Sequence, residues 1–142
     1  MAAVTTYAPD KITVVYGGAI LTGYAEDTFV KVEKAAESFT KHVGADGEVS
    51  RTRNIDKSGM ITVTLKQSSS SNDILSAFAE ADEQSLQGYL PILVKDTAGR
   101  SLHAGSAAWI QKKADAEYGK EMGDREWVFE VADLQHFVGG SN

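Results

Sequence analysis

The residues best suited to acid–base chemistry are four carboxylates grouped around a glycine turn: Glu117, Glu121, Asp124 and Glu126. Two neighbouring carboxyl groups can act as general acid and general base when an apolar environment raises the pKa of one of them. Because no apolar stretch flanks the turn at Gly119, we interpret the cluster as solvated turn charge. A carboxylate hydrolase is therefore the last of the alternatives to a non-enzymatic protein.

Other residue types with chemical potential lack the spacing that a site requires. His42, His103 and His136 are widely separated and show no regular metal-ligand spacing. The absence of cysteine excludes disulfides, thiolate metal sites and a cysteine nucleophile. Gly17-Gly18 and Gly105-Ser106 fit neither a nucleotide-binding glycine pattern nor a serine nucleophile elbow. We therefore expect no catalytic residues, no metal, no cofactor and no enzymatic activity.

The two tryptophans leave a non-enzymatic alternative open. Trp109 and Trp127 fall in predicted strands, where they are most simply core or interface residues. An exposed tryptophan could instead bind a ligand, in which case the chain would be a monomeric β-sandwich binding module. Such a module would stay monomeric, whereas an assembly subunit would self-associate.

Length and composition favour one globular domain spanning residues 1–142. A chain of 142 residues buries roughly 68% of its unfolded surface on folding, which is enough for one core. No apolar run is long enough to cross a membrane, and the N-terminus lacks the pattern of a secretory signal. The formal net charge of -6 argues against tight nucleic-acid binding, which requires an excess of Lys and Arg on one face.

Period-two alternation of apolar and polar residues predicts that most of the chain forms strands. We expect these at residues 11–16, 19–24, 28–34, 60–66, 92–95, 102–112 and 126–137. One segment, about 71–87, has helical spacing, with Ser70 and Asp73 as a capping box and Gly88 as its C-terminal left-handed residue. The predicted fold is mainly β: a β-sandwich or barrel with one flanking α-helix, followed by a mobile tail at 139–142.

The connection between the strands at 28–34 and 60–66 is unusually long and contains few core candidates. Such a connection is uncommon in a compact domain unless it has a use. Asp46-Gly47 is a hairpin-turn signal, so we predict a projecting hairpin arm at about 38–58. Its interleaved charges suit a charge-complementary contact with another subunit, although a solvated flexible loop would have the same composition.

Several stretches resemble the tail tube proteins of contractile-tailed, myovirus-type bacteriophages. The similar residues extend over nearly the whole chain and occur at 38–51, 56–59, 61–65, 71–76, 119–121, 124–127 and 139–140. The resemblance implies a structural virion protein of the tail, assembled in the host bacterial cytoplasm. Its subunits would form homo-hexameric rings that stack into a tube within a contractile sheath.

The same resemblance implies partners and roles for particular residues. The partners would be the sheath protein and the baseplate and terminator proteins, and DNA would pass through the tube without specific binding. The arm would contact neighbouring subunits or rings through Phe39, Lys41, His42, Asp46, Glu48, Arg51, Arg53, Asp56 and Lys57. On the polar strand faces, the lumen-facing candidates are Lys31, Glu33, Thr62 and Thr64, although these faces could equally meet solvent or sheath. Two alternatives share this kind of assembly function: a tube protein of a phage-like injection or secretion machine, and a baseplate-proximal tube adaptor.

Overall fold

The computed structural model describes residue 4 and residues 6–140, which form ten strands and one α-helix. A short 3-10 turn at Pro9–Lys11 precedes the first strand. In chain order, the strands are β1 Ile12–Tyr16, β2 Ala19–Ile20, β3 Val30–Lys34, β4 Phe39–Val43, β5 Val49–Arg53, β6 Gly59–Lys66, β7 Leu90–Asp96, β8 Leu102–Lys112, β9 Asp124–Val131 and β10 Gln135–Phe137. The helix, α1, spans Ser71–Ser85 and connects β6 to β7.

Eight strands form one antiparallel sheet, in the order β2-β1-β7-β8-β9-β6-β3, with β10 beside β8. Within the described part of the chain, the remaining two strands, β4 and β5, pair only with each other. Alternate residues of β1, β6, β7 and β9 are buried, as the period-two pattern requires. In β6 the side chains of Ile61, Val63 and Leu65 are fully buried. The predicted class, a mainly β fold with one helix, is confirmed.

The sheet curls around a single apolar core. Val14 of β1 and Leu65 of β6 lie near opposite ends of the strand order, yet both belong to one buried cluster. Tyr24 links them, because it forms an isolated bridge with Leu65 and its hydroxyl accepts a hydrogen bond from the Val14 amide at 3.3 Å. The helix closes one side of this core with Leu75 and Ala79, both buried.

The ends of the helix differ from the prediction. Ser70 adopts a helical conformation and its side chain makes no capping hydrogen bond; instead the Ser69 hydroxyl accepts from the Ser71 amide at 3.2 Å. The helix ends at Ser85, and the left-handed residue is Leu86, with φ 60°, rather than Gly88. The predicted capping box and glycine C-cap were therefore wrong.

The predicted strand at 126–137 is interrupted in the structure. β9 ends at Val131, and Leu134 turns into the core, where its amide donates to the Lys57 carbonyl at 2.9 Å. The chain then resumes as β10 beside β8. The predicted strand at 19–24 is also shorter, ending at Ile20.

The predicted tail is only partly described. Backbone and hydroxyl hydrogen bonds connect residues 139 and 140 to Arg100 and Ser101, and residues 141–142 lie outside the described residues. Among the described residues, no helix has the length and apolar character needed to cross a bilayer.

Candidate assembly surfaces

The segment between β3 and β6 forms a hairpin that stands apart from the main sheet. Its strands β4 and β5 pair in register from Phe39 opposite Arg53 to Val43 opposite Val49. Every residue of both strands is exposed, and none belongs to the apolar core. We call residues 38–58 the arm. Its sequence is therefore free of the packing constraints that determine the rest of the fold.

The tip of the arm is a tight turn whose geometry is fixed by two residues. Gly47 has φ +87°, a conformation that residues with a Cβ rarely adopt. The Asp46 carboxylate accepts a hydrogen bond from the Glu48 amide at 3.0 Å, and the Gly44 amide donates to the Glu48 carbonyl at 2.8 Å. The Asp46-Gly47 turn signal thus matches the observed turn, and Asp46 and Glu48 lie at the tip.

The register of the arm gives it two chemically different faces. In an antiparallel pair, directly opposite residues share a face and successive residues alternate. One face, the cationic face, carries Phe39, Lys41, Val43, Val49, Arg51 and Arg53. The other face carries only small polar groups and one imidazole: Thr40, His42, Ser50 and Thr52. The structure therefore groups four of the predicted arm residues on one face and places His42 on the other.

The base of the arm is held by local hydrogen bonds. The Asp56 carboxylate accepts from the Ser58 hydroxyl at 2.6 Å and from the Ser58 amide at 2.9 Å, and these bonds lower the pKa of Asp56. The Lys34 ammonium donates to the carbonyls of Lys57, at 3.2 Å, and Leu134, at 2.8 Å. Asp56 and Lys57 thus lie where the arm joins the sheet, away from the cationic face.

Two residues of the cationic face were missed by the sequence analysis. Val43 and Val49 are 59% and 64% exposed, although β-branched apolar residues favour burial. The same period-two alternation that identified the core strands places both valines beside Lys41 and Arg51. That alternation was the signal that could have identified them.

The four lumen-facing candidates lie on one continuous surface of the sheet. Lys31 of β3 is directly opposite Thr62 of β6, and Thr64 is opposite Glu126 of β9. Glu33 is opposite Met60 on the same surface. Lys31 and Glu33 are exposed, whereas the threonines of the more central strand are half-buried. This surface is the one that faces away from the core.

The carboxylates near the Gly119 turn line a cleft of about 620 Å³ between β8 and β9. Lys112 of this cleft pairs with Asp115 at 3.3 Å, and Lys113 pairs with Glu80 of the helix at 3.4 Å. In the described part of the chain, the remaining carboxylates of the cleft have no ion-pair partner; they are Glu117, Asp124 and Glu126. We call these three residues the acidic cleft. Glu121 is exposed on the adjoining loop and does not line it.

Arg125 holds the loop beside the acidic cleft. Its side chain is mostly buried, and its guanidinium lies 5.4 Å from the centre of the Tyr118 ring. It donates to the backbone carbonyls of Glu117, at 3.3 Å, and Asp124, at 3.2 Å. These bonds to backbone carbonyls hold the loop that precedes β9.

Two histidines that are distant in sequence meet in the fold. The Nδ1 atoms of His103 in β8 and His136 in β10 are 2.8 Å apart. Burial lowers the pKa of His103, and the neighbouring His136 lowers it further. Among residues 6–140, no group of three or more potential ligands is placed to hold a metal ion. His42 lies elsewhere, on the arm.

The tryptophans have different environments. Trp127 is buried, and its indole N–H donates to the Asn72 side chain at 2.9 Å. Trp109 is 37% exposed and lies beside Tyr89 and Leu86 in a shallow cleft of about 440 Å³. Trp127 is thus a core residue, as expected, and Trp109 is partly available to a neighbour.

Comparison with known proteins agrees with this architecture. Residues 9–139 match the family described as Bacteriophage PhiTE tail tube protein. The chain is 34% identical over 145 residues to structural protein ORF10 of Pseudomonas phage KPP10, covering 96% of this chain and 84% of that protein.

Solved structures of contractile injection systems share the fold at low sequence identity. The tube-terminating cap of the anti-feeding prophage has a TM-score of 0.70 at 8% identity, covering 96% of this chain and 94% of that one. A chain of the PVC sheath-tube complex has a TM-score of 0.62 at 10% identity, covering 93% of this chain and 91% of that one. The chain therefore belongs to the bacteriophage PhiTE tail tube protein family, a family of structural phage tail proteins and not of enzymes.

Proposed function

We propose that this chain is the subunit of a tail tube built from stacked homo-hexameric rings. The tube lies within a contractile sheath and conducts DNA during ejection. Sheath, baseplate and terminator proteins are its partners, and assembly takes place in the host bacterial cytoplasm. Family membership supports the tube, and the similarity to a chain of the PVC sheath-tube complex supports the contractile setting.

The observation that carries the proposal is the exposed arm. An isolated two-stranded hairpin is marginally stable in water, and this arm has no core contact to compensate. It also exposes Phe39, Val43 and Val49, which cost free energy in solvent. Contact with a neighbouring subunit would bury these side chains and order the arm.

Free strand edges provide the lateral contacts of the ring. Among the strands that the structure describes, β3 pairs only with β6, and the two-residue β2 ends the other side of the sheet. Unpaired edges readily add strands from another chain. Joining the sheets of six subunits removes these edges and forms a continuous inner barrel.

The surface with Lys31, Glu33, Thr62 and Thr64 lines the lumen in this proposal. Its polar side chains avoid adhesive apolar contact with DNA. The net charge of -6 per subunit repels phosphate, so that DNA passes without binding.

Negative-stain electron microscopy together with sedimentation velocity tests the proposal. The purified chain at high concentration is expected to form six-fold rings or hollow tubes. If it sediments as a monomer, pre-formed baseplates are added to supply an initiator. A chain that stays monomeric under both conditions would refute the tube proposal and favour the binding module.

A second candidate within the same class is a tube terminator. It is favoured by the similarity to the anti-feeding prophage cap and to the PVC sheath/tube terminator, the latter with a TM-score of 0.63 at 10% identity. A terminator would bind as one ring to the end of existing tubes without extending them. The baseplate experiment separates the two, because a tube subunit elongates whereas a terminator stops at one ring.

A further inference from the structure

We infer that Lys34 is a positioning residue that fixes the direction of the arm in the unassembled subunit. Together with the backbones of Lys57 and Leu134 it forms a connection between the arm and the body of the chain, which we call the brace. The inference rests on the proposed function in one respect, because a directed arm is useful only where the arm meets a neighbouring subunit.

The direction of the arm depends on the two segments that join its hairpin to the sheet. We call residues 35–38 the first leg and residues 54–58 the second leg. Beyond them, strands β4 and β5 are exposed throughout and none of their residues belongs to the apolar core. A cleft of about 360 Å³ lies at the base of the arm, lined by residues of both legs. The hairpin can therefore swing into this space unless bonds at its base prevent it.

A small rotation at the base would displace the tip of the arm by a large distance. Strands of five residues span about 17 Å. A rotation of about 20° at the base would thus move the tip by about 6 Å, which is more than the length of a hydrogen bond. The bonds at the base therefore determine where the tip lies.

The second leg has a defined conformation of its own. The Asn54 side chain accepts a hydrogen bond from the Asp56 amide at 3.0 Å, and the Asp56 carboxylate accepts from the Ser58 amide at 2.9 Å. Such side-chain turns restrict the backbone in place of strand pairing. A constraint imposed at Lys57 is therefore passed along this leg to the hairpin.

The anchor of the brace on the body is Leu134, in the turn between β9 and β10. Its side chain is buried in the apolar core. Gly59, the first residue of β6, makes room for it, because a Cβ at this position would collide with the Leu134 side chain. The backbone amide and carbonyl of Leu134 are thereby held in place beside the second leg.

Lys34 connects this anchor to the arm. Its ammonium donates to the Leu134 carbonyl at 2.8 Å and to the Lys57 carbonyl at 3.2 Å. The Lys57 carbonyl also accepts from the Leu134 amide at 2.9 Å. This last bond alone would leave the leg free to rotate about it, whereas the two bonds from Lys34 restrict the rotation. The charge on the ammonium also strengthens both of its bonds.

A directed arm favours association between subunits. Binding does not first have to restrict the motion of the arm, so less conformational entropy is lost on assembly. The brace fixes the base of the arm, and contact with a neighbour then orders the strands beyond it.

Distances between two spin labels test the direction of the arm, since the natural chain has no cysteine. Ala45→Cys places one label at the exposed tip, and Glu83→Cys places the other on the exposed side of the helix. Double electron–electron resonance is recorded at a concentration at which the protein sediments as a monomer. We expect one narrow distance distribution when Lys34 is present. In Lys34→Met the distribution should be at least about twice as wide, because a swing of the base displaces the tip by several ångströms.

Lys57→Met is the matched control for the label distances. It removes the same charge at the base of the arm but keeps the backbone carbonyl through which Lys57 takes part in the brace. Its distribution should match that of the natural sequence. Lys34→Arg retains a charged donor, so its distribution should be narrower than that of Lys34→Met.

The label distances distinguish positioning from a merely structural role. An unchanged mean and width in Lys34→Met would overturn the inference even if the melting temperature falls, because Lys34 would then stabilise the fold without directing the arm. Equal broadening in Lys57→Met and Lys34→Met would also overturn it, because the loss of charge alone would then explain the effect.

Assembly of the cysteine-free chain separates the inference from the proposed function. Lys34→Met should raise the critical concentration for tube formation about fivefold. Lys120→Met removes the same charge from the exposed loop between β8 and β9 and should have little effect. If Lys34→Met forms tubes as readily as the natural chain, the tube proposal stands and positioning by Lys34 is wrong. If the natural chain forms neither tubes nor rings with pre-formed baseplates, the tube proposal fails, and the label distances alone decide whether Lys34 directs the arm.

Discussion

Lys41 lies directly opposite Arg51 in the register of the arm. Like charges at directly opposite positions destabilise a strand pair. The Arg51 guanidinium lies 4.0 Å from the centre of the Phe39 ring, which offsets part of this repulsion. A hairpin selected only for its own stability would place a carboxylate opposite one of these cations. The repulsion is instead consistent with an anionic partner outside the subunit.

Shortening the arm should abolish assembly while leaving the fold intact. Replacing residues 44–48 with Asn-Gly, a two-residue hairpin turn, removes the observed tip. Because every strand residue of the arm is exposed, we expect the circular dichroism spectrum to be unchanged and the melting temperature to shift by less than about 2 °C. Electron microscopy should show no tubes.

The control for this change is Ala45→Ser, which keeps the length of the tip. It should assemble like the natural chain. An unfolded shortened variant would show that the arm contributes to the core, and normal tubes would show that the tip has no role in assembly.

Regular alternation explains why the fold could be predicted from the sequence. Ile61, Val63 and Leu65 alternate with polar residues, and Trp127, Phe129 and Val131 do the same, so both strands and their buried faces followed from period two. The break at Leu134 could not be predicted, because it depends on a hydrogen bond to Lys57, which is distant in sequence.

The arm was predictable as a hairpin, but its contacts and those of the histidines were not. Asp46-Gly47 encodes the turn, and the turn sets the register that groups Lys41 with Arg51. By contrast, His103 and His136 meet only because β10 returns beside β8. Such non-local pairing leaves no periodic signal in the sequence.

Leu86→Gly should stabilise the chain. Leu86 has φ 60°, a left-handed conformation that costs a residue with a Cβ about 1–2 kcal/mol, and its side chain is 81% exposed, so little burial is lost. The greater flexibility of glycine in the unfolded chain offsets part of the gain, leaving about 1 kcal/mol and a rise in melting temperature of about 3 °C. Leu86→Ala is the control: it keeps the Cβ and should give no stabilisation in urea or thermal unfolding.

Acid should destabilise the fold through the histidine pair. The pKa of His103 is lowered in the folded state, so its contribution to stability is fully present above the unfolded pKa of about 6.5 and is lost as pH falls below that value. When the pH is lowered from 7.5 to 5, we expect the urea concentration at the midpoint of unfolding to decrease, and to decrease less in His103→Gln. Glu26, Asp27 and Asp96 line the cleft that holds the two histidines, and they are unchanged in the variant. The difference in urea midpoint between the two proteins therefore reports His103. An equal decrease of the urea midpoint in both proteins would contradict this role of His103.

Alkaline pH should destabilise the core through Tyr16. Burial, with a smaller contribution from Asp82, raises the pKa of Tyr16 to about 12. Because the pKa is raised in the folded state, the contribution of Tyr16 to stability is fully present below pH 10 and is lost as pH rises from 10 to 12, by roughly 3 kcal/mol. Tyr16→Phe removes this dependence but leaves the Ala108 carbonyl without its 3.0 Å hydrogen bond, at a cost of about 1–3 kcal/mol. Urea unfolding at pH 9 and pH 11.5 should therefore show a smaller loss in the variant, and an identical loss would contradict the prediction.

Thiol labelling of assembled tubes should identify the lumen surface. Thr62→Cys introduces the only thiol of the chain, on the strand face that carries Lys31. If this face lines the lumen, a small maleimide should label it in tubes, whereas a polymer-linked maleimide of several kilodaltons should react much more slowly, because it must enter through the tube ends. In unassembled protein both reagents should react at similar rates, and Glu83→Cys on the exposed side of the helix should react with both reagents in either state. Equal rates of Thr62→Cys with both reagents in intact tubes would place this face on the outside of the tube.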